Sequence, residues 1–360
     1  MTLAELRCYA LSAAFPAPTS LGEAIAQLQF IQADPIRSPA RAQDLILRQR
    51  VSGYRAGDLE AHYPTLDVEE DFLYCYGFAA RGLWQLLHPK PSQRLTALQK
   101  RVLQLVETLG EVHPSHLEAH LGAKRTINAW GGYSKASTQA LDSLHHYGHL
   151  RIARRDKGIR IYAPARPHLW SDEWRNPERH QRLAAAIINL FAPVPEKSLS
   201  QLLRLVQNYA RVPLQNLKTA LNHLLRSKQL VRCESEGLSY LIPTRLLDNT
   251  QPPTPPRVRI LAPFDPLVWD RLRFEHLWGW KYRFEAYTPP PKRTMGYYAM
   301  PLLWNDSCIG WVNASASDGK LIVNPGFVTG APPQTKSFTT KWNAESTALA
   351  QSLGLSQTIV

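Results

Sequence analysis

Cysteine is scarce in this 360-residue chain: four residues, Cys8, Cys75, Cys233 and Cys308, with no C-x-x-C pair among them. That scatter excludes a disulfide frame and a thiolate zinc site, and fits reduced thiols in a cytoplasmic protein. No H-E-x-x-H pattern arranges the histidines as metal ligands, and His145, His146 and His149 read as a surface cluster at a helix end. Neither metal nor cofactor is expected. Apolar runs long enough to span a bilayer are missing too, so no membrane partner is expected. The nearest approach, CYALSAAFPA, has no basic region before it and is flanked by Glu5 and Arg7. It reads instead as an amphipathic helix with Leu3, Leu6, Ala10 and Leu11 on one face.

Acidic residues are the minority charge. Against 29 Asp+Glu stand 42 Lys+Arg, a formal net charge of +13, and an excess of this size points to a polyanionic partner, most often nucleic acid. At 44% hydrophobic and 20% charged residues the chain is otherwise an ordinary globular protein. Its length calls for two to four domains.

Residues 1–95 read as a compact helical unit. A helix near residues 2–14 ends before Pro16, and Ser20 caps LGEAIAQLQFIQ, whose Leu21, Ile25, Leu28 and Ile31 repeat at helical spacing. Asp34-Pro35 breaks that helix, and the next runs from about Arg41 to Val51. Residues 96–170 hold LTALQKRVLQLVETL, closed by Gly110, then PSHLEAHL, then a third helix capped by Ser134 after Gly131-Gly132-Tyr133. LRIARRDKGIRIYAP follows as a hairpin turning at Asp156-Lys157-Gly158. Three helices and a hairpin are the order of a winged helix, and the order recurs over residues 178–245. The Pro-rich NTQPPTPPRV marks a boundary. Beyond it, at 255–345, RVRILAPFDPLVW, KYRFEAYTP, GYYAMPLLW, SCIGWVNASAS and KLIVNPG read as strands of a small β-barrel, with a last helix toward residue 360. The fold class is therefore α+β, tandem winged-helix units followed by a C-terminal β-barrel.

The first hairpin presents Arg151, Arg154, Arg155, Lys157 and Arg160 against a single Asp156, whereas the second mixes Arg232 with Glu234 and Glu236. The first wing is expected to meet phosphate and the second to be structural. Further cations placed to hold DNA are Arg37 and Arg41, Lys135 at the head of a helix, Arg271 and Arg273, and Lys292-Arg293 in a loop after TPPP. Trp269, Trp278, Trp280 and Phe284 read as core.

Gln32-Ala33-Asp34 places an amide and a carboxylate two residues apart inside this basic segment. Asp34 before Pro35 is open to two readings. It is either a helix N-cap with Pro at the first helical position, or a carboxylate that steadies a positive charge developing on a sugar. FIQADPI, ARAQDLILRQRV and ILAPFDPLVWDRLRFEHLWGWKYRFEAYTPPPKRTMGYYAMPLLW together resemble the winged-helix DNA glycosylases of the AlkZ/YcaQ type. The resemblance covers most of the chain. It implies a first winged unit in residues 1–95 and removal of alkylated bases, N7-modified purines and interstrand crosslinks included, in base excision repair. It also implies catalytic roles for Gln32, holding a water, and Asp34, steadying the sugar or activating that water. FLYCYGFAAR departs from the family: Leu73 stands where a carboxylate is common, and Gly77 or Phe78 near a usual histidine. Ala33 is smaller than the aliphatic residue usual between the pair, so the lesion pocket is expected to differ. With no lysine beside the pair, a monofunctional enzyme is expected. It would act as a monomer on double-stranded DNA, cytoplasmic and at the nucleoid when so engaged. The alternatives are a non-catalytic regulator, which would read one sequence as a dimer, and a scaffold for a protein partner.

Overall fold

The structure, a computed structural model, describes residues 1–17, 19–88, 94–122, 125–127, 133–166, 178–248 and 256–359. Thr2 and Ser20 form capping boxes with Glu5 and Glu23, and so start α1 (Leu3–Ala14) and α2 (Leu21–Leu28). The apolar spacing predicts that α2 continues through Ile31, and the structure corrects this. Gln29 takes φ 61°, and the chain leaves as strand β1 (Phe30–Gln32). Phe30 and Ile31 are both buried there. Next come α3 (Ala42–Leu47), shorter than expected, α4 (Asp58–His62), β2 (Val68–Phe72), β3 (Tyr76–Ala80) and α5 (Arg81–Leu87). The sheet order is β1-β3-β2, with Gln32 opposite Gly77. A Cβ on Gly77 would lie 2.3 Å from the Ile31 carbonyl oxygen and 2.6 Å from the Phe30 ring, so only glycine fits.

The second unit follows the sequence in α6 (Ala97–Leu109) and α7 (Pro114–Leu121), adds two short strands that the sequence did not predict, β4 (Arg125–Ile127) and β5 (Tyr133–Lys135), and then gives the expected α8 (Ala136–His146), β6 (Leu150–Asp156) and β7 (Ile159–Pro164). Gly110 closes α6, and Lys157 and Gly158 both take positive φ in the hairpin turn, as a type I′ connection requires. Ser134 does not cap α8; it lies in β5, and Lys135 holds the N-cap position. Gly131-Gly132 falls outside the described residues. Val112 bridges to Tyr162, giving the hairpin a third strand position.

The helix-helix-helix-hairpin order recurs in α9 (Arg179–Phe191), β8 (Val194–Pro195), α10 (Glu196–Ala210), α11 (Leu214–Arg226), β9 (Leu230–Ser235) and β10 (Leu238–Pro243), with strand order β8-β10-β9. Its core takes in Leu73, Tyr74, Trp84 and Leu87 of the first unit. A short helix, α12 (Thr244–Leu247), follows, and most of the Pro-rich connector lies outside the described residues.

The C-terminal strands form an open sheet, β11 (Val258–Ile260), β12 (Met300–Trp304), β13 (Ser307–Ser317), β14 (Lys320–Phe327) and β15 (Gln357–Ile359) in that order. It curls into a half-barrel rather than closing. RVRILAPFDPLVW holds one short strand and then α13 (Pro266–Trp269), with α14 (Arg271–Trp278) behind it, while α15 (Lys336–Ser352) is the expected last helix. KYRFEAYTP is not a strand. Its Glu285 carboxylate accepts from Thr294 N (2.8 Å), Thr294 Oγ1 (2.9 Å), Met295 N (2.8 Å) and Gly296 N (3.3 Å), so this segment clamps a loop instead of pairing in a ladder. No helix among the described residues is long and apolar enough to cross a membrane.

Buried charge joins the first unit to this sheet. Arg50 makes a bidentate pair with Asp265 (2.8 and 3.1 Å), and the guanidinium groups of Arg50 and Arg259 each lie over the Phe15 ring (4.6 and 4.7 Å). Glu345 accepts from Arg48 (2.9 Å), Gln49 (2.7 Å) and Ile260 N (3.1 Å). Two expected DNA contacts are also structural. Arg273 is 1% exposed and donates to the carbonyls of Phe191, Pro193, Pro266 and Leu267. Arg271 donates to those of Val268 (2.6 Å) and Pro263 (3.0 Å) beneath the Tyr282 ring. Both are spent on carbonyls of α9, of α13 and of the loops beside them. Arg273→Met should therefore cost about 3 kcal/mol or more in a urea melt, while DNA affinity of the folded protein stays at the wild-type value. A loss of affinity with stability intact would restore Arg273 to the DNA surface.

Candidate active site

Strand β1 delivers the Gln-x-Asp segment to a junction between units. Ala33 N donates to Tyr76 O (3.1 Å), extending the pairing with β3 by one residue. Asp34 then accepts from Ile36 N at Oδ1 (2.8 Å), an Asx-type turn. No helix starts here, since α3 begins at Ala42, so the N-cap reading of Asp34 fails. The half-buried carboxyl faces a cavity of about 390 Å³, whose walls include Arg37, Arg41 and Glu60 of its own unit and Arg155, Gly158 and Arg160 of the second. Partial burial pushes the Asp34 carboxyl above its ordinary value, and the Ile36 N–H offsets part of that.

The wall guanidiniums are largely matched. Arg41 pairs with Glu60 (2.8 Å). Arg155 makes a fork onto Glu70 (Nε 2.7 Å, Nη2 2.5 Å). Arg160 lies 4.7 Å over the Tyr76 ring, within 3.3 Å of Asp142 and 3.9 Å of Glu70. Glu70, 1% exposed, also accepts from the Tyr76 hydroxyl. Burial pushes its carboxyl up, but Arg155, Tyr76 and Arg160 outweigh that and hold it below the usual carboxylate range. Arg37 is exposed and has no ion pair among the described residues, and Lys157 is exposed at the hairpin turn.

The structure thus brings Asp34, Arg37, Arg41, Arg155 and Arg160 together around one cavity. Gln32, two residues before Asp34, is not among the lining residues; it is half-buried, with Oε1 unpartnered among the described residues. Arg154 leaves the group: a bulge at Ile152/Arg154 turns it toward Glu111 (3.0 Å). Lys135 pairs with Glu118, away from the cavity. Lys292 is exposed on the clamped loop, and Arg293 donates to Thr288 O (2.7 Å) over the Tyr297 ring.

Sequence reasoning missed Glu70, Tyr76 and Glu60. The run Glu69-Glu70-Asp71 carried the signal, because three acids on a β-strand cannot all face outward. In FLYCYGFAAR, Leu73 and Phe78 are buried apolar groups, and Tyr76, whose hydroxyl donates to Glu70, lines the cavity beside Phe78.

The raised Asp34 carboxyl has a consequence for stability. The folded state binds this proton more tightly than the unfolded chain, so ionisation at neutral pH costs the fold, and that cost vanishes as pH falls below both values. Asp34→Asn should melt above wild type at about pH 7, with the gap narrowing toward about pH 4. A melting point below wild type at neutral pH would mean that the carboxylate stabilises the fold.

The family model described as DNA glycosylase AlkZ-like matches residues 25–354. Among solved structures, the Streptomyces sahachiroi DNA glycosylase AlkZ superposes with a TM-score of 0.66 at 14% identity, over 100% of this chain and 99% of that one. At that identity the superposition speaks for the fold. The family match sets aside the regulator and scaffold readings, since it spans both the cavity and the half-barrel. With its carboxylate facing a cavity between basic units, this chain belongs to the AlkZ-like DNA glycosylase family.

Proposed function

We propose that this glycosylase hydrolyses the N-glycosidic bond of N7-alkylated or crosslinked purines in duplex DNA, with Asp34 as the catalytic carboxylate. The observation that carries the reading is Asp34 itself, half-buried and facing a cavity walled by two units. An N7-alkylated purine is already cationic, so it leaves with the C1′–N9 electron pair as a neutral base and needs little help from a general acid. The deoxyribose then carries the positive charge, which the Asp34 carboxylate faces. Water adds to C1′ and its proton passes to Asp34, with Gln32 orienting the water.

Guanidinium groups near a developing cation would oppose this chemistry if they were bare. Arg41 and Arg155 are neutralised by Glu60 and Glu70, so Asp34 keeps its influence over the sugar while the exposed Arg37 and Lys157 remain for phosphate. The described wall offers carboxylates and guanidiniums rather than an amine, which supports hydrolysis over Schiff-base chemistry. We read the helix-helix-helix-hairpin units as winged helices over residues 1–95, 96–170 and 178–245. They grip the duplex beside the half-barrel of residues 255–345, whose exposed Lys292 adds a further phosphate contact.

On a duplex carrying N7-methylguanine, Asp34→Asn should slow single-turnover base release by about 10²-fold or more. Equal release by both proteins would remove Asp34 from the chemistry. Arg37→Ala and Lys157→Ala should each lower the slope of log affinity against log salt by about 0.9, whereas Arg154→Ala, already matched by Glu111, should change it less. Slopes indistinguishable from wild type would take Arg37 and Lys157 off the DNA.

A further inference from the structure

Aromatic rings run outward from the wall of the Asp34 cavity, contributed by all three units that precede the half-barrel. Tyr76 lines the cavity, with the Arg160 guanidinium 4.7 Å over its ring and its hydroxyl donating to Glu70. Phe72 stands opposite it in the β2–β3 ladder, so both side chains lie on one face of that hairpin. Their rings meet at 5.0 Å with 61° between the planes. His146 of α8 sits edge-on to Phe72 at 6.2 Å. Tyr209, in the last turn of α10, then stacks on Phe72 at 5.6 Å with the planes 10° apart.

Packing alone does not account for Tyr209. The apolar stripe that α10 buries is Leu199, Leu202, Leu203, Val206 and Ala210; Tyr209 lies outside it, with 39% of its surface exposed. Stacking on Phe72 covers one face of its ring. Arg204 and Arg211 on the same end of the helix are exposed, and neither has an ion pair among the described residues. A planar ring backed by a second ring and flanked by unmatched guanidiniums suits a nucleobase and its phosphates.

We propose that the face of Tyr209 turned away from Phe72 is a stacking platform for a nucleobase that has left the helical stack beside the reacting nucleotide, with Arg204 and Arg211 serving its phosphates. A base that loses its neighbours as a lesion is displaced loses stacking energy, and an aromatic side chain restores part of it whatever the base. Ring contacts run unbroken from Tyr76 in the cavity wall to Tyr209, so the platform is continuous with the site. This rests on the reading of the Asp34 cavity as the place of base removal and adds to it a site on the third unit.

The test is binding to an uncleavable duplex with one unpaired base opposite a tetrahydrofuran abasic analogue, against the same duplex fully paired. Wild type should prefer the unpaired form by about tenfold, the scale of one base stacked on an aromatic side chain. Tyr209→Leu keeps an apolar cover on Phe72 but offers no ring face, and it should lose that preference, while Tyr209→Phe keeps it. A merely structural Tyr209 would change the melting temperature and leave the ratio of affinities unmoved. With 5-iodouracil as the unpaired base, irradiation of the wild-type complex should crosslink it to Tyr209. An equal preference in wild type and Tyr209→Leu overturns the proposal, as does no preference in wild type or a crosslink that maps elsewhere. The measurement needs no base release, so it is independent of the Asp34→Asn comparison: a tenfold preference without excision of N7-methylguanine would keep the platform and sink the glycosidic reading of that substrate.

Discussion

One buried acidic strand holds the walls of the candidate site together. Along β2, Glu69 takes Arg151 of the second unit (3.2 Å), Glu70 takes Arg155 (2.5 Å), and Asp71 takes His88 (2.5 Å) and Trp84 (3.0 Å). The first two acids reach across to β6, while Asp71 closes the first unit on itself. Without Glu70, the Arg155 fork would lose its carboxylate partner and the cavity beside Asp34 would lose a wall. Buried ion pairs contribute little net stability once desolvation is counted. Their value here is geometric, because a planar fork fixes distance and angle at once. Glu69 shows the tension: burial raises its carboxyl to about 7 although Arg151 and Arg81 pull it down.

The same economy runs through the interface with the half-barrel. Arg48, Gln49 and Arg50 are consecutive, and all three face carboxylates of the C-terminal region, Glu345 for the first two and Asp265 for the third. Much of the basic character of this chain is therefore internal carpentry. Net charge correctly indicates a polyanionic partner, but it does not identify which cations meet it. Arg271 and Arg273 satisfy backbone carbonyls, and Arg154 answers Glu111.

Helices with local caps and periodic apolar faces were legible in the sequence, as Ser20 and Gly110 illustrate. So was the Lys157-Gly158 turn, because its backbone demand is local. What failed to show was decided at a distance. Phe30-Ile31-Gln32 has helical spacing but pairs with residues 77–79, and Glu285 sits in a strand-like segment but binds amides nine to eleven residues on. The Gln-x-Asp segment was visible as a candidate. Its cavity was not, since Arg155 and Arg160 arrive from a hairpin more than a hundred residues later. Tandem units are a topological repeat, and the sequence signals order far better than contact.

Gly148 bears on how a lesion could be reached. Any side chain there would intrude on His88, with a Cβ only 2.2 Å from Nδ1, so the first two units meet without slack at the point where Asp71 anchors that imidazole. A seam so tight is a weld and not a hinge. If the units on either side of the carboxylate keep that spacing, a bound duplex would have to supply the bending or unstacking.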